Sequence, residues 1–188
     1  MSRTPEANPP VSARWGSAPR SAILEHVPLP STCLCLLLRT RDDGAREVLL
    51  GYKKTGLGTG KIVGLGGHVE AGESAAEAAA REVKEESGIR VAPGGLTEAA
   101  HVTFLFPVRP SWDMDVEIFT CDDWAGEPAE TEEIRPEWFP VDALPFDRMW
   151  DDAPHWLPRV LAGERVQATF SYEADCETVA KASVMALR

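Results

Sequence analysis

Residues 66–89 run Gly-Gly-His-Val-Glu-Ala-Gly-Glu-Ser-Ala-Ala-Glu-Ala-Ala-Ala-Arg-Glu-Val-Lys-Glu-Glu-Ser-Gly-Ile: a glycine loop, then a helix with both ends written into the chain. Ser74 is a good N-cap and Glu77 stands three residues on, the pattern of a capping box. Alanines 75, 76, 78, 79 and 80 supply strong helix propensity. Gly88 falls where a left-handed C-cap belongs. The spacing therefore predicts a helix over about residues 75–87, with Ala76, Ala80 and Val83 as its core-facing stripe.

That helix carries Glu82, Glu85 and Glu86 at i, i+3 and i+4, so the three carboxylates project from one face. Like charges so close repel unless something offsets them. A hard divalent cation would do so, because carboxylate oxygens suit Mg²⁺ or Mn²⁺. Ala78 and Ala79, one turn back, leave room for a loop to approach. By spacing alone, a solvated glutamate-rich face with Arg81 and Lys84 as surface partners accounts for the same residues equally well. Gly64, Gly66 and Gly67 tilt the balance, since a glycine turn lets backbone groups reach the acidic face.

The whole stretch also fits one long pattern: Gly67, five residues, Glu73, seven residues, Arg81-Glu82, an aliphatic Val83, one residue, Glu85-Glu86, one residue, Gly88 and an aliphatic Ile89. This resembles the Nudix box, complete at every specified position. The resemblance implies an α/β/α sandwich with a mixed β-sheet and a hydrolase of nucleoside diphosphate linkages that depends on a divalent metal.

Composition narrows the partners. Among 188 residues, 30 acidic side chains face 19 basic ones, for a formal charge of −11. Such a surface argues against non-specific binding to nucleic acid or membrane. Cys33, Cys35, Cys121 and Cys176 make no CxxC and no Cys/His cluster, so neither a zinc site nor a disulfide framework is indicated. They fit a reduced, cytoplasmic protein. The length suits one domain.

In chain order, residues 1–28 are rich in Pro, Ser, Ala and Arg and read as a disordered leader. Thr32–Leu38 and Glu47–Lys53 read as a hairpin about the turn Arg41-Asp-Asp-Gly44. Thr55–Gly67 reads as an irregular loop. Strands are expected near Thr97–Phe106, Met114–Cys121, Trp138–Val141 and Val166–Tyr172, with a second helix at Trp156–Leu161. The domain is expected over 29–175, and residues 176–188 as a frayed tail.

Beyond the box, residues 32–172 resemble one branch of the family, the MutT homologues that sanitise oxidised purine nucleoside triphosphates such as 8-oxo-dGTP. The likeness rests on Leu49-Leu-Gly-Tyr-Lys-Lys54, Gly56-Leu-Gly-Thr-Gly60, Met114-Asp-Val116, Glu132-Glu-Ile-Arg-Pro-Glu-Trp-Phe139 and Leu144-Pro-Phe-Asp-Arg-Met-Trp150. It implies metal ligands at Glu82, Glu85, Glu86, the Gly66 carbonyl and Glu133, with Glu86 or Glu133 accepting the water proton and Glu82 beside them. Glu73 and Arg81 would form the ion pair that fixes loop to helix, with Gly67 and Gly88 in structural places. Bound Mg²⁺ would neutralise the phosphates and activate water, releasing a nucleoside monophosphate and pyrophosphate.

Positions matching the branch's base contacts are Thr32, Lys53, Leu57, Phe104, Met114, Trp150, Trp156 and Tyr172, with Asp151 or Asp152 at the base edge. Trp150 and Trp156 suit stacking on a purine, which gives roughly 1–3 kcal/mol per base. The chain departs from the branch at Leu57, where an aromatic is usual, at Ile62-Val63, where Trp-Asn is usual, and at Ala153, which would replace an aspartate. Base identity is therefore less constrained than the metal chemistry. Ordinary (d)NTPs or a nucleotide sugar are alternative substrates, and a catalytically silent ligand sensor is a third reading, disfavoured because every box glutamate is present. A monomer is expected.

Overall fold

The structure is a computed structural model, and it describes residues 29–187. The expected leader, 1–28, lies outside them. Nine strands form one mixed sheet: β1 (Ser31–Thr40), β2 (Arg46–Lys53), β3 (Ile62–Val63), β4 (Leu65–His68), β5 (Thr97–Leu105), β6 (Met114–Cys121), β7 (Ile134–Pro140), β8 (Arg165–Tyr172) and β9 (Val179–Leu187). Helices α1 (Ala75–Ser87) and α2 (Ala153–Leu161) complete it. The strand path is β3-β2-β1-β6-β5-β8-β9, with β4 added on β1 and β7 on β2. The pairs β1–β6 and β5–β8 are parallel, and the others are antiparallel.

Strand β1 organises the sheet because one of its edges is shared. Leu37–Thr40 pairs with β2, while Thr32–Cys35 pairs with β4. Alternation then sends successive side chains to opposite faces. Cys33, Cys35 and Leu37 join Leu49, Leu65, Ala78, Ala79, Val83 and Ile89 in the core under α1. Leu36 joins Val48, Leu50, Val102, Ile118, Trp156, Leu157 and Phe170 in the core under α2, with Leu34 packed against it. Two cores on two faces of one sheet make the α/β/α sandwich expected from the sequence.

Helix α1 has the predicted bounds and caps. Ser74 Oγ accepts the Glu77 N–H at 3.3 Å, Glu77 Oε2 accepts the Ser74 N–H at 2.8 Å, and Gly88 closes the helix at φ +77°. Its buried residues are Ala78, Ala79, Val83, Glu86 and Ser87. The core-facing stripe thus keeps the expected Val83 but uses Ala78 and Ala79 in place of Ala76 and Ala80, because a helix turned to bury Glu86 also turns Ala78 and Ala79 inward.

Three other expectations change. The glycine-rich stretch before α1 is not wholly irregular: β3 and β4 recruit Ile62–Val63 and Leu65–His68 into the sheet. Strand β7 starts at Ile134, earlier than Trp138, because β2 offers a partner along its full length from Glu47 to Lys53. The frayed tail is replaced by β9, which pairs with β8 from Arg165↔Leu187 to Tyr172↔Val179. No helix among the described residues is long and apolar enough to cross a membrane.

Candidate active site

The acidic face of α1 meets the loop that β4 carries across β1. Gly67 leaves room for Glu82: a Cβ added there would stand 2.4 Å from Glu82 Oε1. Glu86 is 3% exposed; its Oε2 accepts the Gly66 N–H at 2.8 Å, and its Oε1 lies 3.0 Å from Lys53 Nζ. The Gly66 amide thus touches the cluster through Glu86. Burial pushes the Glu86 carboxyl up from its ordinary value, and Lys53 and the Gly66 amide oppose that shift without cancelling it.

Arg81 gathers the remaining acids. Its guanidinium lies 2.7 Å from Glu73 Oε1, 2.8 Å from Glu82 Oε1 and 3.3 Å from Glu85 Oε2, and donates to the His68 carbonyl at 3.0 Å. The Arg81 hydrogen bonds hold the Glu73 carboxyl below the usual range. One arginine thus ties the loop after β4 to α1 and partly neutralises the acidic face. Glu133, from the turn before β7, lies 4.0 Å from Lys53 with 65% of its side chain exposed. Among the described residues, no three His, Cys, Asp or Glu side chains converge as a metal cluster, and Arg81 and Lys53 pair with the carboxylates of this face.

A cleft of about 470 Å³ opens from this acidic end. Thr32, Lys53, Gly66, Gly67 and Glu133 line it, together with Leu57, Val63, Phe104, Met114, Trp150 and Trp156. The expected base-contact residues are therefore brought together, with one exception. Asp151 does not line the cleft; its Oδ2 accepts the Val179 N–H at 2.8 Å, because β9 supplies an amide that no reading of a frayed tail could offer. Lys53 both lines the cleft and pairs with Glu86.

Asp152 is the buried carboxylate that lines this cleft. It is 4% exposed, and its Oδ2 accepts Trp156 Nε1–H at 2.7 Å while its Oδ1 accepts the Tyr172 hydroxyl. Trp156 is accordingly a core residue whose indole edge orients a carboxylate. Burial raises both groups of the Asp152–Tyr172 pair: Tyr172 keeps its proton as donor, and Asp152 sits above the ordinary aspartate range. Thr32 spends its hydroxyl on the Asp115 carbonyl at 3.1 Å, and Phe104 stacks on Phe170 with centroids 5.9 Å apart.

The Lys53–Glu86 pair, which depends on the register of β2 beside α1, has no signal in the sequence. Nor does the sequence reveal Tyr172 as the donor to Asp152. The apolar run Val179-Ala-Lys-Ala-Ser-Val-Met-Ala-Leu187 was the available signal for β9.

The profile of the NUDIX domain matches residues 29–160. This chain belongs to the NUDIX family. Two curated relatives of this NUDIX protein are named oxidized purine nucleoside triphosphate hydrolase. The one from Danio rerio is 44% identical over 127 residues, covering 68% of this chain and 80% of the relative. The one from Mus musculus is 40% identical over 134 residues, covering 71% and 83%. Among solved structures, a MutT protein from Bacillus halodurans matches the fold with a TM-score of 0.67 at 22% identity, over 83% of this chain and 97% of that one.

Proposed function

We propose that this NUDIX protein hydrolyses purine nucleoside triphosphates, oxidised purines such as 8-oxo-dGTP included, to the monophosphate and pyrophosphate, as a sanitiser of the nucleotide pool. The observation that carries this reading is that one cleft joins both halves of such a substrate's needs. Lys53, Gly66, Gly67 and Glu133 line it together with Trp150, Phe104 and Met114, and Lys53 and Gly66 also touch the Glu86 carboxylate. Its volume, about 470 Å³, falls in the range of small-molecule sites. The names of the curated relatives support the same substrate class.

The residues present fit a hard divalent cation. The donors are all carboxylate oxygens, Glu82 and Glu86 are held close by Arg81 and Lys53, and Glu85 and Glu133 have side chains 60% and 65% exposed, able to turn toward a ligand. Glu82, Glu85, Glu86 and Glu133 would hold Mg²⁺ or Mn²⁺. When bound, the ion supplies charge neutralisation at phosphate and a lowered pKa for water. Glu86 is the side chain best suited to accept the water proton, since burial raises its carboxyl above the ordinary glutamate value and makes it the stronger base. Lys53 offers an ammonium that lines the cleft beside Glu86, placed for a phosphate oxygen. Gly67 keeps the approach open by having no side chain.

A second reading, ordinary (d)NTPs as equally good substrates, draws on Val63, which lines the cleft and offers no hydrogen bond to a base edge. A nucleotide panel with Mg²⁺, scoring pyrophosphate against phosphate release, tests both. Turnover confined to nucleotide sugars would remove the proposal. We further infer a cytoplasmic monomer, which gel filtration and fractionation would check.

A further inference from the structure

Trp150, Asp151 and Asp152 are consecutive, and each is tied to the β8–β9 hairpin by a different contact. Asp152 accepts the hydroxyl of Tyr172, the last residue of β8. Asp151 Oδ2 accepts the N–H of Val179, the first residue of β9. Trp150 is reached through Lys61, whose Nζ lies 4.7 Å from the indole centroid and 2.5 Å from Glu177 Oε2 in the connecting turn. Lys61, Asp151 and Glu177 do not line the cleft, whereas Trp150 does.

The turn that makes these contacts is itself fixed. Asp175 Oδ1 accepts the N–H groups of Glu177 at 2.8 Å and Thr178 at 2.9 Å, and its Oδ2 accepts the Thr178 hydroxyl at 2.7 Å. Cys176 is buried in the core under α2 at a positive φ of 58°, a conformation that a side chain adopts only when its surroundings hold it. The same indole passes close to Gly58: a Cβ added there, at φ +83°, would stand 3.1 Å from Trp150 Nε1.

We propose that the β8–β9 turn is a clasp that positions Trp150 as the stacking wall of the base cleft, with Lys61, Asp151 and Glu177 as positioning residues that touch no substrate. This rests on reading the cleft as the site of a nucleobase. The physical reason is the entropy of binding. An indole already held in place loses no rotamer freedom when a base stacks on it, whereas a loose one must be ordered at that moment. The lysine over its ring also adds an attraction that depends on the ring staying put. The clasp therefore governs how well the base is bound and leaves the phosphate chemistry at Glu86 untouched.

Steady-state kinetics on a purine nucleoside triphosphate with Mg²⁺ test it in the full chain. Glu177→Gln and Asp151→Ala are expected to raise KM by roughly 5- to 20-fold while kcat stays within about twofold, the signature of lost uniform binding. Asp151→Asn keeps an oxygen for the Val179 N–H and is expected to hold KM near that of the unmodified chain. Acrylamide quenching, compared with and without an added Trp150→Phe, reads the mobility of that indole without substrate and should rise in both damaging variants. Unchanged KM together with unchanged quenching in Glu177→Gln and Asp151→Ala overturns the clasp. Equal loss in Asp151→Asn and Asp151→Ala overturns it too, assigning Asp151 to direct contact. If no purine nucleoside triphosphate is turned over, the base-site reading fails by that result, and quenching alone decides whether the turn holds Trp150. Glu177 is largely exposed, so Glu177→Gln keeps the test open should Asp151→Ala fail to fold.

Discussion

Lys53 Nζ stands 3.0 Å from Glu86 Oε1, and the two side chains are 17% and 3% exposed. The pair is asymmetric: Glu86 bears most of the desolvation, and Lys53 keeps some access to water. Removing either partner therefore has opposite consequences for stability. Glu86→Gln takes a buried charge out of the fold, and the melting temperature should hold or rise slightly. Lys53→Met leaves that charge without its counterion, at a cost of about 1–3 kcal/mol, below the usual figure for a fully buried pair because Lys53 is partly solvated. Both variants should lose turnover, Glu86→Gln by roughly a hundredfold or more. Thermal melts and initial rates on the two proteins check this, and an active Glu86→Gln would falsify the role given to Glu86.

Gly66 and Gly67 are adjacent but should fail differently. A Cβ on Gly66 would stand 2.0 Å from the Cys33 carbonyl oxygen, a backbone atom that cannot yield. A Cβ on Gly67 meets the Glu82 carboxylate, the end of a side chain that can swing away. Gly66→Ala is expected to lower stability by roughly 2–4 kcal/mol. Gly67→Ala should fold nearly normally yet lose activity as Glu82 is displaced. Urea denaturation beside a rate assay separates the two, and equal loss of stability in both would refute the distinction.

Val63 bears on base selection. An apolar fit separates related ligands by roughly 10–200-fold, while a site that reads a base by hydrogen bonds reaches about 10⁴. With Val63 in the cleft and Asp152 as its buried carboxylate, 8-oxo-dGTP and dGTP are expected to be cleaved with kcat/KM values within about a hundredfold. Val63→Asn adds a donor and an acceptor and should widen that ratio. A ratio well above a thousandfold in the unmodified protein would place the reading group elsewhere.

Asp152 gives a pH dependence of defined sign. Its carboxyl is raised above the ordinary 3.8 by burial, so the folded state holds its proton more tightly than the unfolded chain does. The stabilisation is complete below the unfolded value and is lost as pH rises through the folded one. Without metal, this contribution to unfolding free energy should therefore fall as the pH rises above the ordinary aspartate range. Glu73, which is depressed, acts with the opposite sign, its contribution being lost only as the pH falls below the ordinary carboxylate range. Asp152→Asn should flatten the decline. The asparagine can still accept Trp156 Nε1–H with its oxygen and donate its N–H₂ to the Tyr172 hydroxyl oxygen, so both contacts persist. Urea titrations at pH 5.5 and 8 measure the decline and its flattening, and an unaltered slope would move the titration to another group.

Legibility in the sequence followed the range of the interactions. Helix α1 could be read to the residue because Ser74, Glu77 and Gly88 act within one turn of its ends. The β1–β2 hairpin was clear for the same reason. Lys53 meeting Glu86 and Tyr172 meeting Asp152 depend on strand order and register, which periodicity does not encode. The error over residues 176–188 came from weak alternation: β9 is an edge strand, mostly exposed on both faces, so burial left little pattern to find. That same strand removed Asp151 from the cleft.

Strand β1 is a wall between two rooms. Thr32, Leu34 and Leu36 line the cleft where a base would lie, Cys35 and Leu37 back the helix that bears the glutamates, and Cys33 belongs to that helix's core while also lining the cleft. Drift at Thr32, Leu34 or Leu36 can therefore change what the protein selects without disturbing how it cuts, and drift at Cys35 or Leu37 does the reverse. A single-residue deletion within β1 would exchange the two sets of side chains and spoil both rooms at once. Lineages descended from such a chain should thus diverge in ligand taste through point substitutions on this strand, with its length held fixed.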